Sequence, residues 1–211
     1  MYENEETNVI GAALNFGNLF GWAAALAKNP RAFLRGMAKS GGYTTPILFA
    51  AFWFFASTVL SFFVGLVRPA TVTGPVALRL VGLILSPFVG LLFSFLMTAV
   101  IFVVWHLMGS RENFQTSFRV WAFLSPVWAV GSILGMVPYL PILVFVAFLY
   151  LLIVASEEVH GLPRDRSWLV WGILGALCVA LMLVAVVIQQ VSRQMPEIMK
   201  SLPPAARAVR P

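Results

Sequence analysis

Six ionisable side chains stand at the margins of long apolar runs: His106, Arg111, Arg119, Glu157, Glu158 and His160. Ionisable groups near hydrocarbon are costly to keep and often functional, so this polar cluster is the first candidate site. Three chemistries suit it. Glu157 and His160 form a Glu-x-x-His pair, which a helix places on one face and which supplies half of a carboxylate-bridged dimetal site. The sequence holds only one copy, so a metal centre is not expected. Carboxylates and imidazoles at one membrane margin also suit a proton or ion relay. The plainest reading is snorkelling side chains joined by a structural ion pair, with Arg119 bonded to Glu157 or Glu158. Catalytic machinery is not visible elsewhere. There is no Walker loop, GxGxxG, HExxH or cysteine-rich pattern, and Ser132 lacks a GxSxG setting. The chain is expected to be no enzyme and to carry no cofactor or metal.

The elements that position these groups must be membrane helices. Of 211 residues, 60% are hydrophobic and 10% charged, and the mean hydropathy is +0.90. A soluble domain carries about 25% charged residues, so an ordinary globular protein is excluded, and no stretch has the composition of an appended soluble domain. A span needs about 20 apolar residues, and five runs qualify: Ile47–Val67, Val76–Trp105, Phe118–Met136, Tyr139–Ala155 and Trp168–Ile188. The second is too long for a straight span, with Pro87 as the expected kink. The turn from Val137 through Pro138 to Pro141 is uncharged and short, which forces an antiparallel hairpin. The expected fold is all-α, with five transmembrane helices after an amphipathic interfacial helix. Residues 1–46 read as a cytoplasmic segment without a signal peptide, 47–188 as the transmembrane domain and 189–211 as a flexible tail. The lone Cys178 sits in an apolar run, so an intrachain disulfide is excluded.

Net charge is +6, with the cations at segment ends and in the tails, a distribution suited to anionic headgroups rather than nucleic acid. Asn29-Pro30 reads as an N-cap and first helical residue, opening a helix over about 29–39 that Gly41-Gly42 stops. On it Arg31, Arg35 and Lys39 form a basic stripe, with Phe33 and Met37 opposite, the pattern of a helix lying on headgroups. The basic loops share a side with the N-terminus, which places that side in the cytoplasm. Arg68 and Arg79 bracket the other side. Arg79 suits either interfacial anchoring, the preferred reading, or a lipid phosphate. Most tryptophans fall near span ends, as aromatic belts do, and need no cofactor.

Small residues mark where membrane helices approach. Gly82, Ser86, Gly90, Ser94 and Thr98 recur every four residues in the second span, Gly131 and Gly135 form a GxxxG pair in the third, and Gly172 and Ala176 lie in the fifth. Packing within the chain is favoured over a homodimer.

The stretch from Asn29 to Pro46 resembles the start of the Yip-family membrane domain. Further matches run from Gly109-Ser-Arg-Glu-Asn-Phe114 through Arg119 and Ser125-Pro126, then through Glu158-Val-His160-Gly161-Leu-Pro-Arg164. The resemblance implies five transmembrane helices, a cytoplasmic N-terminus and, for eukaryotic members, Rab GTPase partners in vesicle traffic. This chain lacks the long N-terminal region and Asp-Leu-Tyr-Gly-Pro motif of those members and looks like the bacterial branch, so Rab binding is not carried over. The inner membrane is the expected location. The expected role is a non-enzymatic adaptor acting through anionic lipids, another protein or a second copy of itself. The alternative is a small ion or lipid transporter, for which the span centres offer little beyond small hydroxyls.

Overall fold

The computed structural model describes residues 16–67, 76–137 and 139–201. Every regular element among them is a helix: α1 (Phe16–Lys28), α2 (Pro30–Arg35), α3 (Thr44–Val67), α4 (Val76–Leu107), α5 (Phe114–Leu124), α6 (Pro126–Leu134), α7 (Leu140–Glu158) and α8 (Arg164–Ser201). Five stretches are long and apolar enough to cross a membrane, namely α3, α4, α5 with α6, α7, and α8 as far as Ser192. The chain divides after Trp171 into two compact units; the packing below is that of the first.

Local chemistry explains where the helices start and break. The third span begins at Phe114, four residues before the apolar run, because the Asn113 side chain accepts the Thr116 N–H at 2.9 Å and caps α5. It is two helices rather than one. Pro126 has no N–H to give the Ala122 carbonyl, which takes the Ser125 N–H at 3.1 Å instead. Pro87, by contrast, leaves α4 a single element through Leu107. The carbonyl that proline deprives is that of Leu83, and the neighbouring Ser86 hydroxyl donates to it at 2.9 Å. A serine beside a proline can thus repair a membrane helix.

Three boundaries differ from expectation. The Asn29–Pro30 start is where α2 begins, with the Asn29 side chain accepting the Ala32 N–H at 3.1 Å. The helix nevertheless ends at Arg35, because Gly36 is a poor helix former and its N–H and that of Met37 close the end on Ala32 and Leu34. The segment before Asn29, read only as intermediate in polarity, holds α1. The tail expected from residue 189 is helical to Ser201; residues 202–211 lie outside those described, as do Arg68 and the turn residue Pro138.

Within the first unit α3 packs on α4, α5 and α6, while α7 packs on α6 and on α2. At one end Phe123 is fully buried among Trp22, Phe33 and Phe49, with ring centroids 5.1–5.8 Å away. That aromatic cluster binds α1 and α2 to the membrane helices. The small residues act unequally. Ser94 and Thr98 are buried, and a Cβ added at Gly90 would lie 2.6 Å from Phe54 Cγ. One added at Gly131 would touch Val144 at 3.4 Å, whereas at Gly135 it would meet only its own helix and at Gly82 nothing within 4 Å. Gly172 and Ala176 belong to the second unit.

Candidate functional site

The polar cluster forms where α2, the end of α4, the start of α5 and the end of α7 converge. Glu157 and Glu158 occupy the last turn of α7, where the carbonyl end of a helix disfavours negative charge. Two arginines offset that cost. Arg31 Nη1 donates to Glu157 Oε2 at 2.6 Å and to Glu158 Oε1 at 2.9 Å, and Arg35 Nε donates to Glu158 Oε2 at 2.8 Å. The two carboxylates are 11% exposed, against 38% for Arg31 and 71% for Arg35. The acids are therefore held in the protein and the bases reach in from its surface. Bonds to Glu157 and Glu158 hold the Arg31 guanidinium above its ordinary range, and the bond to Glu158 does so for Arg35. Lys39 Nζ meets Glu112 Oε1 at 2.6 Å, and the Lys39 carbonyl accepts from Thr116 Oγ1 at 3.1 Å. All three residues of the basic stripe thus have a carboxylate within the chain.

The expected pairing of Arg119 with Glu157 or Glu158 does not occur. Arg119 is 3% exposed, and its Nη1 donates at 2.9 Å to the carbonyl of Gly42. Gly41 and Gly42 both have positive φ, 115° and 79°, a region glycine enters at little cost. The turn leading into α3 is thereby clamped by a cation, and the glutamates are left to α2. Sequence spacing alone could not give this, because the choice depends on where α2 docks.

Behind the ion pairs lies a buried aromatic and hydroxyl network. Ser156 Oγ accepts the indole N–H of Trp105 and that of Trp171, each at 2.7 Å, and donates to the Leu152 carbonyl at 2.7 Å. His160 stacks on Trp105 with centroids 3.9 Å apart, and its Nδ1 lies 2.8 Å from Ser110 Oγ. Burial, with the charge of Lys39 as a smaller cause, pushes the His160 pKa down to about 3. Arg166 Nη1 donates to the Met108 carbonyl at 2.8 Å, fixing the Gly109 turn. Ser110, Ser156, Trp105 and Trp171 were not candidates from sequence. The available signal was a serine one residue before two glutamates and a tryptophan at each neighbouring span end.

Glu157 and His160 do not converge as a Glu-x-x-His pair would to share a ligand: one faces Arg31, the other Ser110 and Trp105. Among the described residues no group of three or more His, Cys, Asp or Glu could hold a metal ion. His106 and Arg111 are exposed, with the His106 ring near Phe102 at 5.8 Å. The arrangement is a junction of cations and carboxylates that fixes α2 on α7, with exposed bases around it. Residues 23–188 match a family model, described as the Yip1 domain. Among curated proteins and solved structures none matches the chain.

Proposed function

The chain belongs to the Yip1 domain family, and on that premise we propose that it is a non-enzymatic membrane adaptor that presents the α1–α2 end of the protein to a partner. Its location is the bacterial inner membrane, with that end in the cytoplasm. The observation that carries the reading is the docking of α2 by Arg31 and Arg35 on Glu157 and Glu158. It converts an N-terminal segment into an ordered platform. Among the described residues at this end eight Lys and Arg (Lys28, Arg31, Arg35, Lys39, Arg111, Arg119, Arg164, Arg166) stand against four acids (Glu112, Glu157, Glu158, Asp165), and Glu3, Glu5 and Glu6 precede them in the sequence. The exposed bases Lys28, Arg111 and Arg164 suit an acidic protein surface or anionic headgroups.

Transport is the weaker reading because the described span interiors bear no carboxylate. Several of their hydroxyls are spent on backbone carbonyls, as with Thr58 on Phe54 and Ser94 on Gly90. His160, held neutral, does not cycle a proton near neutral pH.

The test reverses Lys28, Arg111 and Arg164, which are exposed and make none of the ion pairs. A tagged wild-type chain, taken from its native membrane in mild detergent, should retain a stoichiometric acidic partner that the Lys28→Glu, Arg111→Glu, Arg164→Glu variant loses. Solute flux in proteoliposomes above that of empty vesicles, with only the chain itself recovered, would overturn the reading.

A further inference from the structure

At the other end of α4 lies a groove between α3 and α4, of about 770 Å3, within the size range of about 300–1,000 Å3 for small-molecule sites. The helices close at Gly90, where Phe54 leaves no room for a Cβ, and stand apart two turns earlier at Gly82, where a Cβ would meet nothing. The α4 wall of the groove runs from Arg79 to Phe93. At 1.5 Å per residue that is about 21 Å, enough to cross the roughly 15 Å of hydrocarbon in one leaflet.

The wall chemistry separates along this length. Three of the four hydroxyls in the middle are already engaged, Ser61 being the fourth: Ser57 Oγ lies 2.6 Å from Ser132 Oγ, Thr58 donates to Phe54, and Ser86 donates to Leu83. The middle of the groove therefore suits alkyl chain. At its mouth stands Arg79, whose Nη1 reaches the Gly65 carbonyl at 3.4 Å. Among the described residues no carboxylate lines the groove. A guanidinium carries five donors in a planar fork, a geometry that can hold a phosphate alongside the bonds it already makes.

We propose that this groove binds one anionic phospholipid, with an acyl chain along α4 and the phosphate on Arg79. Charge complementarity selects the headgroup, and the engaged hydroxyls select the chain. The site and the α1–α2 platform lie at opposite ends of α4, so lipid binding and partner capture can fail separately.

Native mass spectrometry of the full chain in mild detergent, titrated with phosphatidylglycerol, reads this directly. One lipid per chain should be retained, about tenfold more weakly by Arg79→Gln. Gly82→Phe fills open space without forcing the helices apart and should lose the lipid to a similar extent. Diacylglycerol with the same chains should bind about tenfold more weakly than the phospholipid. Equal retention by the wild type and both variants would overturn the proposal. So would competition by glycerol phosphate as strong as that of the lipid, which would mark an adventitious ion only.

Discussion

Around Trp105, at the C-terminal end of α4, one serine hydroxyl accepts two indole N–H groups, and two arginines bind two glutamates nearby. Around Arg79, at the N-terminal end, Ser86 bonds within its own helix and Ser57 to the neighbouring Ser132, and α3 stands off from Gly82. The same helix, with the same four-residue spacing of small side chains, is closed at one end and open at the other. In hydrocarbon, burying apolar surface drives no association. A small residue therefore permits contact but does not enforce it. What the Trp105 end adds to its aromatic packing is polar: hydrogen bonds worth keeping because their donors and acceptors have no water there.

The most damaging single change should be Ser156→Ala. It removes the acceptor of two buried indole N–H groups, and leaving each unsatisfied costs about 1–3 kcal/mol. Thermal unfolding in detergent should show a loss of about 2–4 kcal/mol together with a change in tryptophan emission. Next, Gly90→Ala should cost about 1–3 kcal/mol by forcing Phe54 away. Gly82→Ala, in open space, should change stability by less than about 0.5 kcal/mol. Equal effects at the two glycines would break the contrast between closed and open ends.

Acid should act on the closed end. His160 is neutral in the folded protein down to about pH 3, while an unfolded chain protonates it near pH 6.5. The unfolded state therefore binds the extra proton as pH falls below 6.5. Stability contributed by neutral His160 is full above that pH and is lost progressively towards pH 3, at about 1 kcal/mol per pH unit mid-window. Carboxylates titrate in the same window, so the readout is a difference: His160→Phe, which keeps the stack on Trp105, should flatten this part of the profile. The smallest effect belongs to Lys39→Gln. Its pair with Glu112 is half exposed and should be worth under about 1 kcal/mol.

Much of the fold was legible because its signals are long. Five spans follow from hydropathy and length, and the start of α2 follows from Asn29-Pro30. What could not be read was which polar groups meet. Arg119 and the two glutamates face one end in sequence order, yet Arg119 turns to Gly42 and the glutamates to α2. That outcome depends on Phe33 and Trp22 wedging against Phe123, a tertiary contact without periodic signal. The break at Ser125-Pro126 and the continuity at Ser86-Pro87 are a second case. Both are Ser-Pro pairs, and only the structure shows one serine hydroxyl repairing its helix.

The central claim is that charge locks α2, with α1 packed against it, onto α7. Hydrogen exchange of residues 19–35 in lipid nanodiscs tests it most directly, comparing the wild type with Arg31→Gln, Arg35→Gln. The account predicts protection of these amides in the wild type and its loss, by about tenfold or more, in the double variant while the amides of α4 stay protected. Unprotected α1 and α2 in the wild type, or equal protection in both proteins, would contradict it.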